Sequence, residues 1–260
     1  MTPSGHGIIV AVIPARMAST RFPGKPLEDI LGLPMIVHVF KRCSLAKSLD
    51  AVYVATDNNK IRKVVEQYGG EVIMTSDCHD SCIDRVAEAA TGLKANIIIN
   101  VQGDMPLVDP GSLEALVKPL LKEKNIHYTD MIAPILEKSD IHNPNIVKVV
   151  ANLSGDAIYY SREAIPSIKK NLNREQKYFM QLGINAFRKR SLKYFSSLDR
   201  TPLEIIESID MLRLLEHHND IRTVIAASTV LGVDTPEDLE RVSNLMIKDT
   251  IFPKYMELSK

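Results

Sequence analysis

The chain has no tryptophan, few aromatic residues (5%), three cysteines and, with 32 Lys and Arg against 32 Asp and Glu, no formal net charge over its 260 residues. Each scarcity excludes something. Without a basic excess there is no electrostatic footprint for a nucleic-acid partner. No apolar run approaches the ~20 residues that cross a bilayer, so no membrane partner is expected. Cys43, Cys78 and Cys82 make an odd set, and the opening MTPSGHG lacks the charged and apolar regions of a signal peptide. A disulfide framework is therefore not expected, and a cytoplasmic location is. Two phosphate-binding signatures are also missing: no G-x-x-x-x-G-K-S/T and no G-x-G-x-x-G occurs, which argues against P-loop and dinucleotide enzymes. No Ser/His/Asp or Cys/His nucleophile arrangement is evident. Cys78, His79 and Cys82 spell C-H-x-x-C, but three ligands are too few for a closed structural zinc site. His38 and His127 read as core or surface residues.

What is present begins at the N-terminus. Hydrophobic residues make up 45% of the chain and charged residues 25%, the balance of a soluble globular protein. Ile8 to Ile13 is short, β-branched and apolar on both parities, as in a strand buried on both faces of a parallel sheet. It runs into PARMASTRFPGKP. In open α/β sheets ligands bind beyond the carboxyl ends of the strands, and here that position is cationic. Arg16, Arg21 and Lys25 stand among Ala15, Ala18, Ser19, Pro23 and Gly24, small or turn-forming residues that let backbone amides approach an anion. Guanidinium groups match phosphate oxygens in geometry. The alternative is a merely solvated basic loop.

Strand and helix patterns alternate after this loop. Helical spacing of Met35, Ile36, Val39 and Phe40 is followed by strands expected over 51–55, 71–74 and 97–101, with helices over 58–68, 84–93 and 110–122. Such alternation predicts an α/β fold with a doubly wound, mostly parallel sheet. Between about 128 and 187 short strands dominate, which predicts an inserted antiparallel region within a single 260-residue domain. Helices are expected over 203–217 and 236–247. Asp104 follows the 97–101 strand, and Asp234 precedes the last helix. Two hard oxygen ligands beside a phosphate loop are what Mg²⁺ requires. Asp234 has a second reading as a helix cap, a role for which Thr235 competes.

Several motifs together carry a family resemblance: Pro14-Ala15-Arg16, Ser19, Arg21, Pro23-Gly24-Lys25-Pro26, Ala55-Thr56-Asp57, Asn100-Val101-Gln102-Gly103-Asp104, Asn143-Pro144-Asn145 with Val147-Lys148-Val149-Val150, and Gly232-Val233-Asp234-Thr235-Pro236-Glu237-Asp238-Leu239. In this order, across nearly the whole chain, they resemble the 3-deoxy-manno-octulosonate (KDO) cytidylyltransferases. The resemblance implies a nucleotide-diphospho-sugar transferase-like fold, an inserted dimerisation region, a homodimer, CTP as donor, a small acidic acceptor and Mg²⁺ as cofactor. It also implies roles. Arg16, Arg21 and Lys25 would hold the triphosphate, Ala15 and Gln102 would help select cytosine, Ser19 and Ser81 would join the nucleotide site, and Asp104 and Asp234 would bind metal. Arg16, Lys25, Asp104 and Asp234 would then form the catalytic set.

The departures cluster at the positions that contact the acceptor sugar in that family. The chain has Ser81-Cys82-Ile83-Asp84-Arg85 for S-G-T-D-R, Gln102-Gly103-Asp104-Met105-Pro106 for Q-G-D-E-P, Gln181-Leu182-Gly183-Ile184-Asn185 for H-L-G-I-Y, and Asp210-Met211 for a Glu-Gln pair. Arg85, Met105, Gln181, Asn185, Asp210 and Met211 are thus the candidate acceptor residues. Substrate hydroxyls left unpaired cost about 1 to 3 kcal/mol each. Three activities stay open: CMP transfer to KDO, the same transfer to another 2-keto acid sugar or a phosphonate, and a non-catalytic nucleotide-binding regulatory role.

Overall fold

A computed structural model of the chain describes residues 7–18, 21–79, 81–170, 177–227 and 231–256. They fall into two compact units, Met1–Glu114 with Val230–Lys260, and Ala115–Thr229.

The first unit is built on β1 (Ile9–Ala15), every residue of which is buried. A two-stranded turn, β2 (Asp29–Ile30) and β3 (Leu33–Pro34), leads into α1 (Met35–Ser44). There follow β4 (Ala51–Thr56), α2 (Asn59–Gln67), β5 (Glu71–Met74), α3 (Cys82–Thr91), β6 (Ile97–Asn100) and α4 (Pro110–Lys122), the last of which runs on into the second unit. β1 pairs in parallel with β4 on one side and β6 on the other, and β4 pairs in parallel with β5. The apolar run thus marks an interior strand, as its double-sided hydrophobicity requires. Helix starts follow their caps. Asn58 Oδ1 accepts from Lys60 N at 2.8 Å, and Ser81 Oγ accepts from Ile83 N at 3.1 Å, so α3 begins two residues before the expected boundary.

In the second unit β7 (Tyr128–Pro134), β8 (Lys148–Ala151), β9 (Ala157–Ser161) and β10 (Phe179–Arg188) precede α5 (Lys189–Ser197), α6 (Pro202–Glu207), α7 (Met211–Glu216) and β11 (Arg222–Ile225). β10 pairs antiparallel with β7 and β8, β8 pairs antiparallel with β9, and β11 runs parallel to β7. The expected antiparallel strands are present. The Asn-Pro-Asn motif has a structural task here: buried Lys148 donates Nζ to Asn143 O at 3.0 Å and Ile146 O at 2.8 Å, closing that loop.

The helix expected over 203–217 is two helices. Ser208 takes a left-handed conformation (φ 55°) and breaks it. The break lets Glu204, sealed at 0% exposure, receive Arg213 Nε at 2.8 Å and Nη2 at 2.6 Å. Burial pushes the Glu204 carboxyl upward, but the guanidinium outweighs it and holds the group below its usual range. Periodicity carries no sign of such a pair.

The C-terminal helices, α8 (Pro236–Met246) and α9 (Phe252–Met256), belong to the first unit. Arg42 of α1 ties their end down, binding Asp249 bidentately at 2.9 and 3.2 Å and Val108 O at 2.7 Å. His38 is a core residue, with Nε2 on Ile30 O at 2.7 Å and Nδ1 on Tyr255 Oη at 2.8 Å, and burial lowers its pKa to about 4. Among the described residues no helix is long and apolar enough to cross a membrane.

Candidate active site

The site lies at the carboxyl ends of β1 and β6 within the first unit. Beyond β6 the chain turns at Gly103, where a Cβ would stand 2.7 Å from Pro14 O. Only glycine lets the two strand ends approach this closely. The next residue, Asp104, is thereby brought against the basic loop. Backbone bonds hold the 232–234 segment alongside, with Val233 N donating to Asp104 O at 2.9 Å. Beneath them Ile30, Met35, Val233, Val242 and Met246 form a buried apolar cluster that fixes the positions of the polar groups above.

Lys25 is the centre of the arrangement. Its ammonium donates to Asp104 Oδ2 at 2.7 Å, Val233 O at 2.8 Å and Asp234 Oδ1 at 3.1 Å. Arg21 Nη1 reaches Asp234 Oδ2 at 3.2 Å. Burial acts to lower the Lys25 pKa, but the two carboxylates outweigh it and the net direction is upward. Lys25 therefore stays charged at neutral pH. The cap alternative for Asp234 is resolved as well. Thr235 caps α8, accepting from Asp238 N at 3.2 Å, while Asp238 Oδ2 accepts from the Asp234 and Thr235 amides at 3.0 Å each. With the helix start satisfied by this reciprocal box, the Asp234 side chain is directed to the cations.

A cleft of about 520 Å³ opens here, lined by Ala15, Arg16, Arg21, Lys25, Gln102, Asp104 and Asp234 together with Met35 and Cys82. Seven of the nucleotide- and metal-site residues expected from sequence thus line one cleft. Ser19 lies outside the described residues. Ser81 is engaged as the α3 cap and lines a smaller hollow with Arg16, His79, Cys82 and Arg85. Arg85 is 4% exposed and binds Thr75 Oγ1 at 2.6 Å, Ser76 O at 3.1 Å and Asp57 at 3.4 Å, so it braces the loop after β5 while bordering that hollow. Met105 is half-buried beside Asp104.

The remaining acceptor candidates belong to the second unit. Gln181 and Asp210 are half-buried, whereas Asn185 and Met211 are each 2% exposed. Asn185 binds Asp130, a carboxyl that sequence reading passed over. Its signal was a polar pair inside apolar strands, Asp130 before Met131-Ile132 and Asn185 between Ile184 and Ala186. Cys82, singled out from sequence as a departure in an acceptor-contacting stretch, lines both the cleft and the smaller hollow. The C-H-x-x-C residues take other tasks: the His79 ring bonds to Glu88, and Cys78 Sγ to Asp77. Among the described residues no group of three or more His, Cys, Asp or Glu is placed to hold a metal.

An interior parallel strand that ends on a cationic loop, facing two carboxylates gathered on one ammonium, suits a nucleotide's phosphates and a metal. The family model described as Cytidylyltransferase matches residues 10–221. The chain is 43% identical to the 3-deoxy-manno-octulosonate cytidylyltransferase of Syntrophotalea carbinolica, with 90% of this chain and 96% of that one covered. It is also 43% identical to the enzyme of that name from Myxococcus xanthus, with coverages of 91% and 96%. Among solved structures, a CMP:2-keto-3-deoxy-manno-octonic acid synthetase complexed with CTP superposes with a TM-score of 0.87 at 38% identity, over 93% of this chain and 99% of that one. The chain belongs to the 3-deoxy-manno-octulosonate cytidylyltransferase family.

Proposed function

We propose that this chain transfers CMP from CTP to 3-deoxy-manno-octulosonate, or an acid sugar of that kind, and releases pyrophosphate. The observation that carries the reading is the Lys25 ammonium gathered between Asp104 and Asp234 at the mouth of a cationic cleft. The names of the relatives supply the sugar.

In this reaction an acceptor oxygen attacks the α-phosphorus, the bond from that phosphorus to the bridging oxygen breaks, and pyrophosphate leaves. The protein's task is positioning and charge neutralisation. Arg16 and Arg21, both exposed toward the cleft, hold the triphosphate, and Lys25 meets the charge that grows on the leaving group. Ala15, with its backbone at the strand end, and Gln102 flank the base, while Ser81 keeps the N-terminus of α3 in place. Arg85, which borders the smaller hollow, offers a guanidinium for the acid group of the acceptor, and Met105 follows Asp104 in the chain. Gln181, Asn185, Asp210 and Met211, all in the second unit, are acceptor candidates by the family resemblance alone.

Asp104 and Asp234 fit Mg²⁺: they are hard oxygen donors that already converge on one cation, and octahedral Mg²⁺ takes one or two carboxylates beside phosphate oxygens. When bound there, Mg²⁺ supplies positive charge against the charge developing on the phosphate oxygens. We further infer a homodimer, supported by adjacent apolar side chains on α6, Ile205 and Ile206, which are 56% and 79% exposed. A cytoplasmic location agrees with three cysteines that form no disulfide among the described residues.

The test is pyrophosphate release from CTP and Mg²⁺ with KDO, its 8-amino analogue, other 2-keto acid sugars and small phosphonates, each alone. Efficient release with KDO is expected. Release only with another acceptor would replace the sugar but keep the transfer, and CTP binding without release on any acceptor would favour the regulatory reading.

A further inference from the structure

Three charged groups meet at the cleft, Lys25, Asp104 and Asp234, and the segments that carry them continue to β2, to residues 107 and 108, and through α8 to α9. All three segments are bound by one face of α1. His38 and Arg42 stand there one helical turn apart and are 0% and 1% exposed. His38 Nε2 donates to Ile30 O at 2.7 Å, and Arg42 donates from Nε to Val108 O at 2.7 Å and from Nη2 to Leu107 O at 3.4 Å. The last segment closes the set. Tyr255 Oη lies 2.8 Å from His38 Nδ1, and Asp249 receives the Arg42 guanidinium at 2.9 and 3.2 Å.

Short backbone links join these points to the charged residues. Glu28 N donates to Lys25 O at 3.2 Å, and Glu28 O accepts from Met35 N, the first residue of α1, at 2.8 Å. Asp104 sits inside the turn closed by Met105 N on Gln102 O at 3.3 Å, and the next turn, Val108 N on Met105 O at 3.1 Å, leads to Arg42. Phe22, Leu107, Leu231 and Phe252, drawn from the same segments, pack against the apolar cluster beneath the site.

Core packing alone does not call for these polar groups. Burial is non-directional, so an apolar α1 face would join the same segments without fixing where along the helix each one sits. Buried polar groups need partners, which ties each bond to a particular atom. The His38 ring has one sense only: a carbonyl cannot donate, so Nε2 carries the proton and Nδ1 accepts from the Tyr255 hydroxyl. Burial lowers its pKa to about 4, and the ring keeps this neutral form at neutral pH.

We propose that His38 and Arg42 are positioning residues for the nucleotide site: from one face of α1 they set the spacing of Lys25, Asp104 and Asp234, and the segment bearing Asp249 and Tyr255 is the clasp that holds both side chains in place. This rests on the CTP reading of the cleft. Both residues act through the three charged groups and not on the nucleotide.

The experiment measures the Kd of CTP with Mg²⁺ by calorimetry, alongside the thermal midpoint, in Arg42→Lys, Tyr255→Phe, Lys25→Met and the doubles of each of the first two with Lys25→Met. Arg42→Lys keeps the charge but loses the planar fork, and the Kd should rise about tenfold. Tyr255→Phe removes only the hydroxyl that His38 Nδ1 accepts, and a rise of about threefold is expected. Because it keeps the ring in the core, Tyr255→Phe carries the test alone if Arg42→Lys does not fold. In the Lys25→Met background both fold-changes should be clearly smaller, since one of the charges being positioned is gone; equal fold-changes in the two backgrounds mean independent effects and overturn the proposal. Val10→Ala is the control, a buried side chain near the start of β1 and so at the far end of that strand from the cleft. It should lower the midpoint and leave the Kd unchanged. A Kd rise in Val10→Ala equal to that of Arg42→Lys at a similar midpoint would make lost stability the cause and overturn the positioning role. If Lys25→Met itself leaves CTP affinity unchanged, the CTP reading fails and takes the clasp with it, whereas a loss in Lys25→Met with none in Arg42→Lys or Tyr255→Phe refutes the positioning role alone.

Discussion

Asp104 and Asp234 keep 30% and 45% of their side-chain surface open and share the Lys25 ammonium, whereas Asp130 in the other unit is sealed among two amides and a hydroxyl. The first pair is built for exchange. A triphosphate with its metal brings large, mobile charge, and groups already balanced by a protein cation can release that cation and accept another at small cost. The second is built for geometry. Neutral partners neither stabilise nor displace the carboxylate strongly, but they take their direction from it. The contrast separates an open carboxylate pair, balanced by a cation in the first unit, from a sealed carboxyl held by neutral groups in the second.

The strongest way to break that contrast is at Asp104. Asp104→Asn should reduce CMP transfer by about 10²- to 10³-fold, the scale seen when one preorganised electrostatic group is removed, with little change in thermal midpoint. Unchanged Mg²⁺-dependent turnover would remove Asp104 from the chemistry. Gly103→Ala comes next. A Cβ 2.7 Å from Pro14 O must push the strand ends apart, which should cost about 1–3 kcal/mol in urea denaturation and weaken CTP binding with it. Normal stability and affinity would mean that the approach of β1 to residue 103 is not needed.

Lys25→Met sharpens the comparison. On the proposed role of Lys25 the CTP Kd should rise roughly tenfold, and because the variant leaves two carboxylates without their shared cation, Mg²⁺ alone should bind more tightly than in wild type. Calorimetry with each ligand separately checks both directions. The smallest effect concerns acid. Burial raises the Asp249 carboxyl, but Arg42 outweighs it and the net shift is downward. A depressed carboxyl contributes stability fully present above its unfolded pKa, here 3.8, and lost as pH falls through the folded value. Asp249→Asn should therefore lose stability at neutral pH and show a shallower decline than wild type below about pH 4. Parallel acid profiles would contradict the pairing.

Much of the first unit was legible because its elements are decided locally. Ile9–Ala15 is apolar on both parities and sits inside the sheet, and Asn58 mark a helix start through its own side chain, as Ser81 does. The basic loop was legible for the same reason, being contiguous. What it grips was not, since Lys25 meets residues 79 and 209 positions away. The metal-or-cap question at Asp234 could not be settled from sequence because Asp234, Thr235 and Asp238 all have capping chemistry, and only the closed Thr235–Asp238 box shows which is used. In the second unit the break at Ser208 was hidden because the apolar spacing runs through it. Asp130 was hidden because one polar residue in a strand reads as solvent-facing until its partners on β9 and β10 are known.

The most direct test of the account is the Mg²⁺ dependence of CTP binding, measured by calorimetry on wild type and on the double variant Asp104→Asn, Asp234→Asn. If these carboxylates are where metal and triphosphate meet, Mg²⁺ strengthens CTP binding to wild type and has no such effect on the variant. An equal strengthening in both proteins would place the metal elsewhere and contradict the central claim.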